Sequence, residues 1–553
     1  MPSALDQQYE AVLEKLTGPD GMLQLAETPD GKKYVSNFPP TLPMLFDAFA
    51  MMNADKVAVI SGEERLTFAE LNALSTRLAK ALVARGTKKG DRIGIAMRNC
   101  TAWIVAYQAI LKAGGVATLI NGWWREEELR HALELTCPAM VIAAKPHTQM
   151  VAGLDLGIAV VDVDISKPAV EAFSSLLTGG HDAIALPTVA PDDDATILFT
   201  SGSTGDAKGA LSTHMQVCQA AYIYTVSLMV LKGVLESQGR YKDLPLRALV
   251  SVPLFHVTGE VPVMLTSYVI GRALVLMPKW DAEHALQLIQ DEGVTHFTGV
   301  PTMAMEVMNH PKRDDYDLSS MGYINSGGAP RPAAHVLRQA DEMPEAQSIQ
   351  GYGLTETNAV GCGIFFENYL DKPTSTGREQ VPFVEIAILG EDGAHLPKGE
   401  TGEVAIRSVA TIKGYWDNPQ ATAAAYTEDG YFRTGDIGYL DEDEYLFIVD
   451  RKKDIILRGG ENIAAAEVEA ALYACEKVDE VCVFGAPDER LGEVPVAVVH
   501  SAEGISEDDL RDFLRTKLAA FKVPERFIFA DGPLPRLGTG KIDRVALKAA
   551  HAG

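Results

Sequence analysis

Between Thr200 and Gly209 the chain sets four hydroxyl side chains, three glycines and one lysine directly after the apolar, strand-like run Ala195 to Phe199. Residues 197 to 214 read ILFTSGSTGDAKGALSTH. Such a loop can hold a phosphate. Glycines let the backbone turn freely and come close to a ligand, and successive N–H groups in the turn form an anion-binding nest. Gly202 and Gly205 open the turn, the hydroxyls of Thr200, Ser201, Ser203 and Thr204 add donors, and Lys208 brings one mobile positive charge. A plain surface turn is the alternative reading of a Gly/Ser loop, but the density of donors and the preceding strand favour the phosphate. The nucleotide-kinase and GTPase pattern fails here, because Ala207 precedes the lysine and Gly209 follows it. Gly209 to Thr213 reads as a second short strand, with a helix starting near the capping residues Ser212 and Thr213.

Six further stretches carry residues suited to the same chemistry: VPLFHVTG (252–259), NSGGAP (325–330), GYGLTET (351–357), YFRTGD (431–436), DRKKDIILRGGENI (450–463) and PRLGTGK (535–541). With the loop they form an ordered set over roughly residues 40 to 550 that resembles the motifs of the adenylate-forming superfamily: acyl-CoA and aryl-CoA synthetases, nonribosomal-peptide adenylation domains and beetle luciferases. The resemblance implies a role for each matching residue. Thr200, Ser201, Gly202, Ser203, Thr204, Gly205 and Lys208 would grip the β- and γ-phosphates of ATP, with Ala207 where the family usually has proline. Glu356 would hold Mg²⁺, and Thr355 beside it would touch phosphate. Tyr352, flanked by Gly351 and Gly353, would lie on adenine, with the backbone of Gly327, Gly328, Ala329 and Pro330 along the opposite face. Asp436 would accept both ribose hydroxyls through its two carboxylate oxygens. Arg451 would stand near ribose and phosphate. Lys541 would bridge the substrate carboxylate and the α-phosphate, offsetting the repulsion between two anions brought into line. His256 would lie beside the acyl carboxylate.

The implied reaction is a two-step ligation. A carboxylic acid and MgATP give acyl-AMP and pyrophosphate; a mobile C-terminal domain then swings about Lys453, withdraws Lys541 and brings in Arg458, Gly459, Gly460, Glu461 and Asn462 to line the channel of a thiol. Coenzyme A is the expected acceptor, although Ala464 and Ala465 follow GGENI where the family usually has an aromatic residue or Ser and then Pro. A separate carrier protein as acceptor, and release of acyl-AMP itself, stay open. An inactive nucleotide-binding regulator would be expected to lack Glu356, Asp436 or Lys541, and all three are present. Segments 256–265, 299–305, 326–330 and 358–362 are expected to line the acyl pocket; Val257, Thr258, Met303, Ala359 and Cys362 are uncharged, which favours a fatty or aromatic acid. Asn121 to Trp124, NGWW, stands where the family more often has a proline-containing sequence.

These residues need a scaffold. From residue 66 helix and strand patterns alternate: 66–86, 101–115 and 125–135 read as helices, and 91–97, 116–121 and 139–144 as strands. After the loop 247–253, 272–278 and 296–301 read as strands, with a helix at 281–293. Strands separated by helices imply parallel sheets covered on both faces, here two doubly wound α/β units. Between about 376 and 450 the strand-like pieces 384–390, 402–408 and 444–449 are divided by turns, as in a small antiparallel barrel or sheet. A compact α+β segment follows. The charged stretch 451–454 marks the expected boundary between an N-terminal domain (1–450) and a mobile C-terminal domain (451–553).

The whole chain sets limits. At 553 residues it exceeds one core. A net charge of −26 argues against nucleic acid or an anionic membrane as the main partner, while leaving small anions that a few local cations can hold. The six cysteines form no C-x-x-C pair and the twelve histidines no ligand cluster, so neither a zinc site nor a disulfide framework is implied, and a reducing cytoplasm fits best. The N-terminus lacks a secretory pattern. Met215 to Leu231 is apolar but interrupted by Gln216, Gln219 and Ser227, and reads as a buried helix rather than a transmembrane segment. A homodimer is left open.

Overall fold

The computed structural model describes residues 2–200, 207–328, 331–459, 461–538 and 540–551. The first α/β unit is built on a seven-stranded sheet in the order Gly414–Tyr415, Lys208–Thr213, Asp194–Thr200, Val116–Leu119, Arg92–Ala96, Met140–Ala143, Ala159–Asp162. The last five are mutually parallel, and the two at the loop edge are antiparallel. Helix Phe68–Ala84 starts where Thr67 accepts from the Glu70 backbone N–H while Glu70 returns a bond to the Thr67 N–H, a reciprocal cap that satisfies two otherwise orphaned donors. Helix Thr101–Lys112 is buried at every position, as its all-round apolar sequence requires.

The second unit is a nine-stranded sheet in the order Arg378–Glu379, Gly361–Phe365, Gln347–Gly353, Tyr323–Ser326, His296–Gly299, Arg247–Val250, Ala273–Leu276, Val57–Ser61, Glu64–Thr67. Its interior pairings are parallel and both edges antiparallel. The strand pair Val57–Ser61 and Glu64–Thr67 precedes the first unit in sequence yet pairs here, Leu274 opposite Val59. Helix His214–Ser237, capped by Thr213 accepting from the Gln216 N–H, is long and apolar enough to cross a membrane, yet 72% of its most apolar window is buried inside the molecule. Its polar residues are paired there: Gln219 exchanges bonds with the Val35 backbone at 2.9 Å in both directions.

A four-stranded antiparallel sheet joins Val384–Leu389, Gly402–Ser408, Phe432–Leu440 and Leu446–Arg451. The stretch 376–450 is thus shared among three sheets, because Arg378–Glu379 and Gly414–Tyr415 pair elsewhere. After the turn at 452–455 a five-stranded sheet follows, Glu461–Ile463, Ile456–Arg458, Gly492–His500 and Glu480–Asp488, with Arg526–Ala530 parallel to Gly492–His500. It has its own core, including Val468, Leu472, Val483, Val499 and Leu514.

Candidate active site

The nucleoside side of the site is set by the end of one strand and the middle of another. Gln347–Gly353 carries Gly351, Tyr352 and Gly353, and Phe432–Leu440 carries Asp436. The Tyr352 hydroxyl donates to Asp436 Oδ2 at 2.6 Å, and Arg451 Nε lies 3.3 Å from Asp436 Oδ1. Arg451 reaches it because strand register puts the two residues opposite one another. Asp436 is only 4% exposed; burial raises its pKa, and Arg451 and the Tyr352 hydroxyl pull it back. A buried carboxylate with one cation and one phenol leaves acceptor capacity for paired hydroxyls.

The phosphate side is built around the antiparallel pair that frames the glycine loop, with Lys208 registered opposite Thr200. Ser201, Gly202, Ser203, Thr204 and Gly205 lie outside the described residues. Lys208 Nζ stands 4.9 Å from the centre of the Tyr415 ring, a cation–π contact, and the Tyr415 hydroxyl donates to Glu356 Oε1 at 2.9 Å. Thr355 and Glu356 sit in the single 3₁₀ turn Thr355–Thr357. That turn is anchored by the Ile412 N–H on the Glu356 carbonyl at 2.9 Å and by Asn358. Asn358 Nδ2 donates to Ser212 Oγ at 2.9 Å and to the Ala410 carbonyl at 2.8 Å. Burial raises the Glu356 pKa, opposed by the Tyr415 hydroxyl, its own backbone N–H, Arg451 and Lys208. Among the described residues no three His, Cys, Asp or Glu side chains gather as an all-protein metal cage. One carboxylate beside a hydroxyl fits Mg²⁺, which takes few protein ligands and keeps waters and substrate phosphates.

Lys541 enters from the C-terminal segment. A methyl group added to Gly328 would stand 3.2 Å from Lys541 Cε and 3.4 Å from its Nζ, so the lysine lies along the glycine strip that opposes Tyr352. Gly328 has φ +76°, a conformation that favours glycine. Gly327 donates its N–H to the Gly299 carbonyl at 3.3 Å, and Ala329 and Pro330 lie outside the described residues. Burial, then Arg451, push the Lys541 pKa down to about 8, with Asp436 opposing. His256 is pushed down to about 3 by burial and then by Lys541, which makes it a neutral imidazole at physiological pH. Its Nδ1 accepts from the Thr258 N–H at 3.3 Å.

Thirteen of the residues singled out by sequence fall on described residues: Thr200, Lys208, His256, Gly327, Gly328, Gly351, Tyr352, Gly353, Thr355, Glu356, Asp436, Arg451 and Lys541. Direct contacts join Tyr352, Asp436 and Arg451, Gly328 and Lys541, and, through Tyr415, Lys208 and Glu356. The thiol-channel residues are not brought into these contacts. Arg458 pairs with Glu525 and the Phe521 carbonyl, inside the C-terminal unit, and Gly459 donates to the Leu491 carbonyl at 2.7 Å. Glu461 and Asn462 are exposed on the partner strand of that hairpin. Gly460 lies outside the described residues, and Lys453 sits in the turn between the two sheets.

The expected acyl lining needs two corrections. Cys362 packs with Ile388, Val404 and Leu446 of the small sheet, because alternate residues of a strand face opposite sides of its sheet. Within 256–265, Glu260 is fully buried on the π-helical turn Gly259–Leu265. Its Oε1 accepts from the Tyr107 hydroxyl at 2.7 Å, Oε2 has no hydrogen-bond partner among the described residues, and burial pushes its pKa up to about 7. Val257, Met303 and Ala359 are buried and apolar as expected. Sequence reasoning also passed over Tyr415, whose signal was its place in the GYWDNP stretch facing the loop strand.

Comparison with known proteins follows the same outline. Residues 46–416 match the family model of the AMP-binding enzyme, and residues 467–541 that of the AMP-binding enzyme C-terminal domain. The long-chain-fatty-acid–CoA ligase FadD13 of Mycobacterium tuberculosis is 33% identical over 493 residues, covering 89% of this chain and 94% of that one. A feruloyl-CoA synthase of Amycolatopsis sp is 36% identical over 497 residues, covering 89% and 95%. Among solved structures, the o-succinylbenzoate CoA synthetase of Bacillus subtilis in complex with its acyl-adenylate intermediate superposes with a TM-score of 0.78 at 28% identity, covering 91% of this chain and 97% of that one. ATP-bound MatB of Rhodopseudomonas palustris gives 0.80 at 27% identity, covering 93% and 99%. The chain belongs to the AMP-binding enzyme family.

Proposed function

We propose that this protein is an ATP-dependent acid–thiol ligase that makes an acyl-CoA through an acyl-AMP. The observation that carries the reading is the meeting of Lys541, from the C-terminal unit, with Gly328 and with the Asp436–Arg451 pair of the N-terminal unit. In the first step a carboxylate oxygen attacks the α-phosphorus, the bond to the bridging β-phosphate oxygen breaks, and pyrophosphate leaves. Asp436 holds the ribose and Tyr352 keeps Asp436 aimed. Lys208 steadies the departing phosphates, and Lys541 spans carboxylate and α-phosphate, where negative charges converge. A magnesium ion held by Glu356 and the triphosphate would neutralise part of that charge. In the second step the C-terminal unit, beginning after Arg451, turns about Lys453. The thiol sulfur then attacks the acyl carbon, and AMP leaves with the bonding electrons.

The named substrates of two relatives, a long-chain fatty acid and feruloyl acid, agree with the buried apolar Val257, Met303 and Ala359 in supporting a fatty or aromatic acid. Coenzyme A as acceptor is supported by the relatives' names and tested directly against carrier protein. The decisive test is half-reaction kinetics. The protein should exchange pyrophosphate into ATP only when a carboxylic acid is added. Lys541→Ala should abolish that exchange while largely sparing thioester formation from supplied acyl-AMP. Equal loss in both halves sinks the role given to Lys541.

A further inference from the structure

We infer that Trp123 is a positioning residue for adenylation: a fixed indole platform on which the Lys541 loop closes. The inference rests on the ligase reading above. Residues 535–541 must be held on both sides for Lys541 to stay in a site that costs it its hydration. One side is held by helix Pro301–Met308. Arg536 Nη1 donates to Thr302 Oγ1 at 2.7 Å and to the Gly540 carbonyl at 2.8 Å, and its Nη2 lies 3.3 Å from Glu306 Oε1. A methyl group on Gly540 would stand 2.9 Å from Met303 Cε.

The other side is Trp123. A methyl group on Gly538 would stand 2.6 Å from Trp123 Cδ1, 2.8 Å from Cγ and 2.9 Å from Cβ. Of these atoms Cβ is fixed by the backbone, so a rotamer change of the indole cannot by itself clear the contact. Gly538 is not among the glycines with positive φ, so the close approach of the Trp123 side chain, rather than a left-handed backbone, is what opposes a side chain there. The Arg98 guanidinium lies 3.8 Å from the indole ring centre, and the Trp123 backbone N–H donates to Asn121 Oδ1 at 2.9 Å, holding the segment that carries the ring. Trp124 turns the other way, edge-on to Phe199 at 5.2 Å, on the strand that leads into the glycine loop. The pair therefore links the phosphate-loop strand to the lysine loop: Trp124 anchors the segment, and Trp123 presents the docking surface.

Trp123→Ala should reduce acid-dependent pyrophosphate exchange by about 10- to 100-fold, the scale at which misplacing a reacting group is felt, and leave thioester formation from supplied acyl-AMP within about twofold. Trp123→Phe, which keeps an aromatic face over Arg98, should recover part of the exchange. Gly538→Ala should show the same selective loss in the parent protein. In the Trp123→Ala background it should cost less than in the parent, because the Cδ1 and Cγ contacts are gone and only Cβ at 2.9 Å remains. Equal loss in both half-reactions, or the same Gly538→Ala penalty with and without the indole, overturns the inference and leaves the ligase reading standing. Absence of any acid-dependent exchange in the unaltered protein overturns both.

Discussion

In the proposed reaction Lys541 would work as a cation, in a place that disfavours cations. Burial and Arg451 hold its pKa down to about 8, against the pull of Asp436, with neutral His256 beside it. Because the charged form is the disfavoured one, closing the empty site releases a proton between about pH 8 and the ordinary lysine pKa of 10.5, and closure without nucleotide becomes easier as pH rises through that range. Catalysis runs the other way, since the bridge needs the ammonium. Acid-dependent pyrophosphate exchange should therefore fall, in kcat/KM, as pH rises through about 8, approaching tenfold per unit at the limit. Lys541→Arg, which stays charged at every accessible pH, should be slower and lack this descending limb. A flat profile in the parent across that value removes Lys541 as its source. At this scale most of the site was legible in the sequence, because Glu356, Asp436 and Lys541 stand in stretches whose type and order repeat a known set. Tyr415, Glu260 and Trp123 were not, because each acquires meaning from a partner far along the chain: Glu356, Tyr107 and Gly538 respectively.

At the scale of elements, the turn that carries Glu356 depends on one buried side chain. Asn358 has φ +50° and ties the turn to Ser212 on the loop strand and to Ala410 beside the small sheet. Asn358→Ala would leave a buried hydroxyl and carbonyl unpaired, at about 1–3 kcal/mol, and would force alanine into a left-handed conformation at about 1 kcal/mol more. Asn358→Gly removes the strain and keeps only the first loss. Both should lower the urea midpoint and raise KM for ATP, with alanine the worse of the two; equal midpoints for parent and Asn358→Ala would refute the tie. The elements were readable in part: the sequence patterns place five of the seven strands of the first large sheet but only three of the nine of the second. Pairing was not. Val57–Ser61 joins a sheet whose neighbouring strand comes more than two hundred residues later, and Gly414–Tyr415 leaves its sequence neighbours to pair with Lys208–Thr213. Periodicity reports which face of a strand is buried and says nothing about its distant partner.

For the molecule as a whole, the proposed reaction would ask for two positions of the C-terminal unit; in the structure Lys541 lies against Gly328 while Glu461 and Asn462 are exposed. Passage between them must be absorbed by the turn at 452–455, which separates strand Leu446–Arg451 of one sheet from Ile456–Arg458 of the next. In that turn Lys452 donates to the Gly435 carbonyl at 2.9 Å, and Asp454 and Ile455 both donate to the Arg451 carbonyl at 2.9 and 3.2 Å. Among the described residues the Lys453 N–H has no backbone acceptor, and its φ is not positive. Proline at this position therefore removes no hydrogen bond and fixes the φ through which a hinge would turn. Lys453→Pro should keep acid-dependent pyrophosphate exchange near the parent rate and cut thioester formation from supplied acyl-AMP by about 100-fold, the mirror image of Lys541→Ala. Measuring both half-reactions on both variants separates a hinge from general damage. If Lys453→Pro slows the two equally, the turn is ordinary structure; if it slows neither, the C-terminal unit pivots elsewhere.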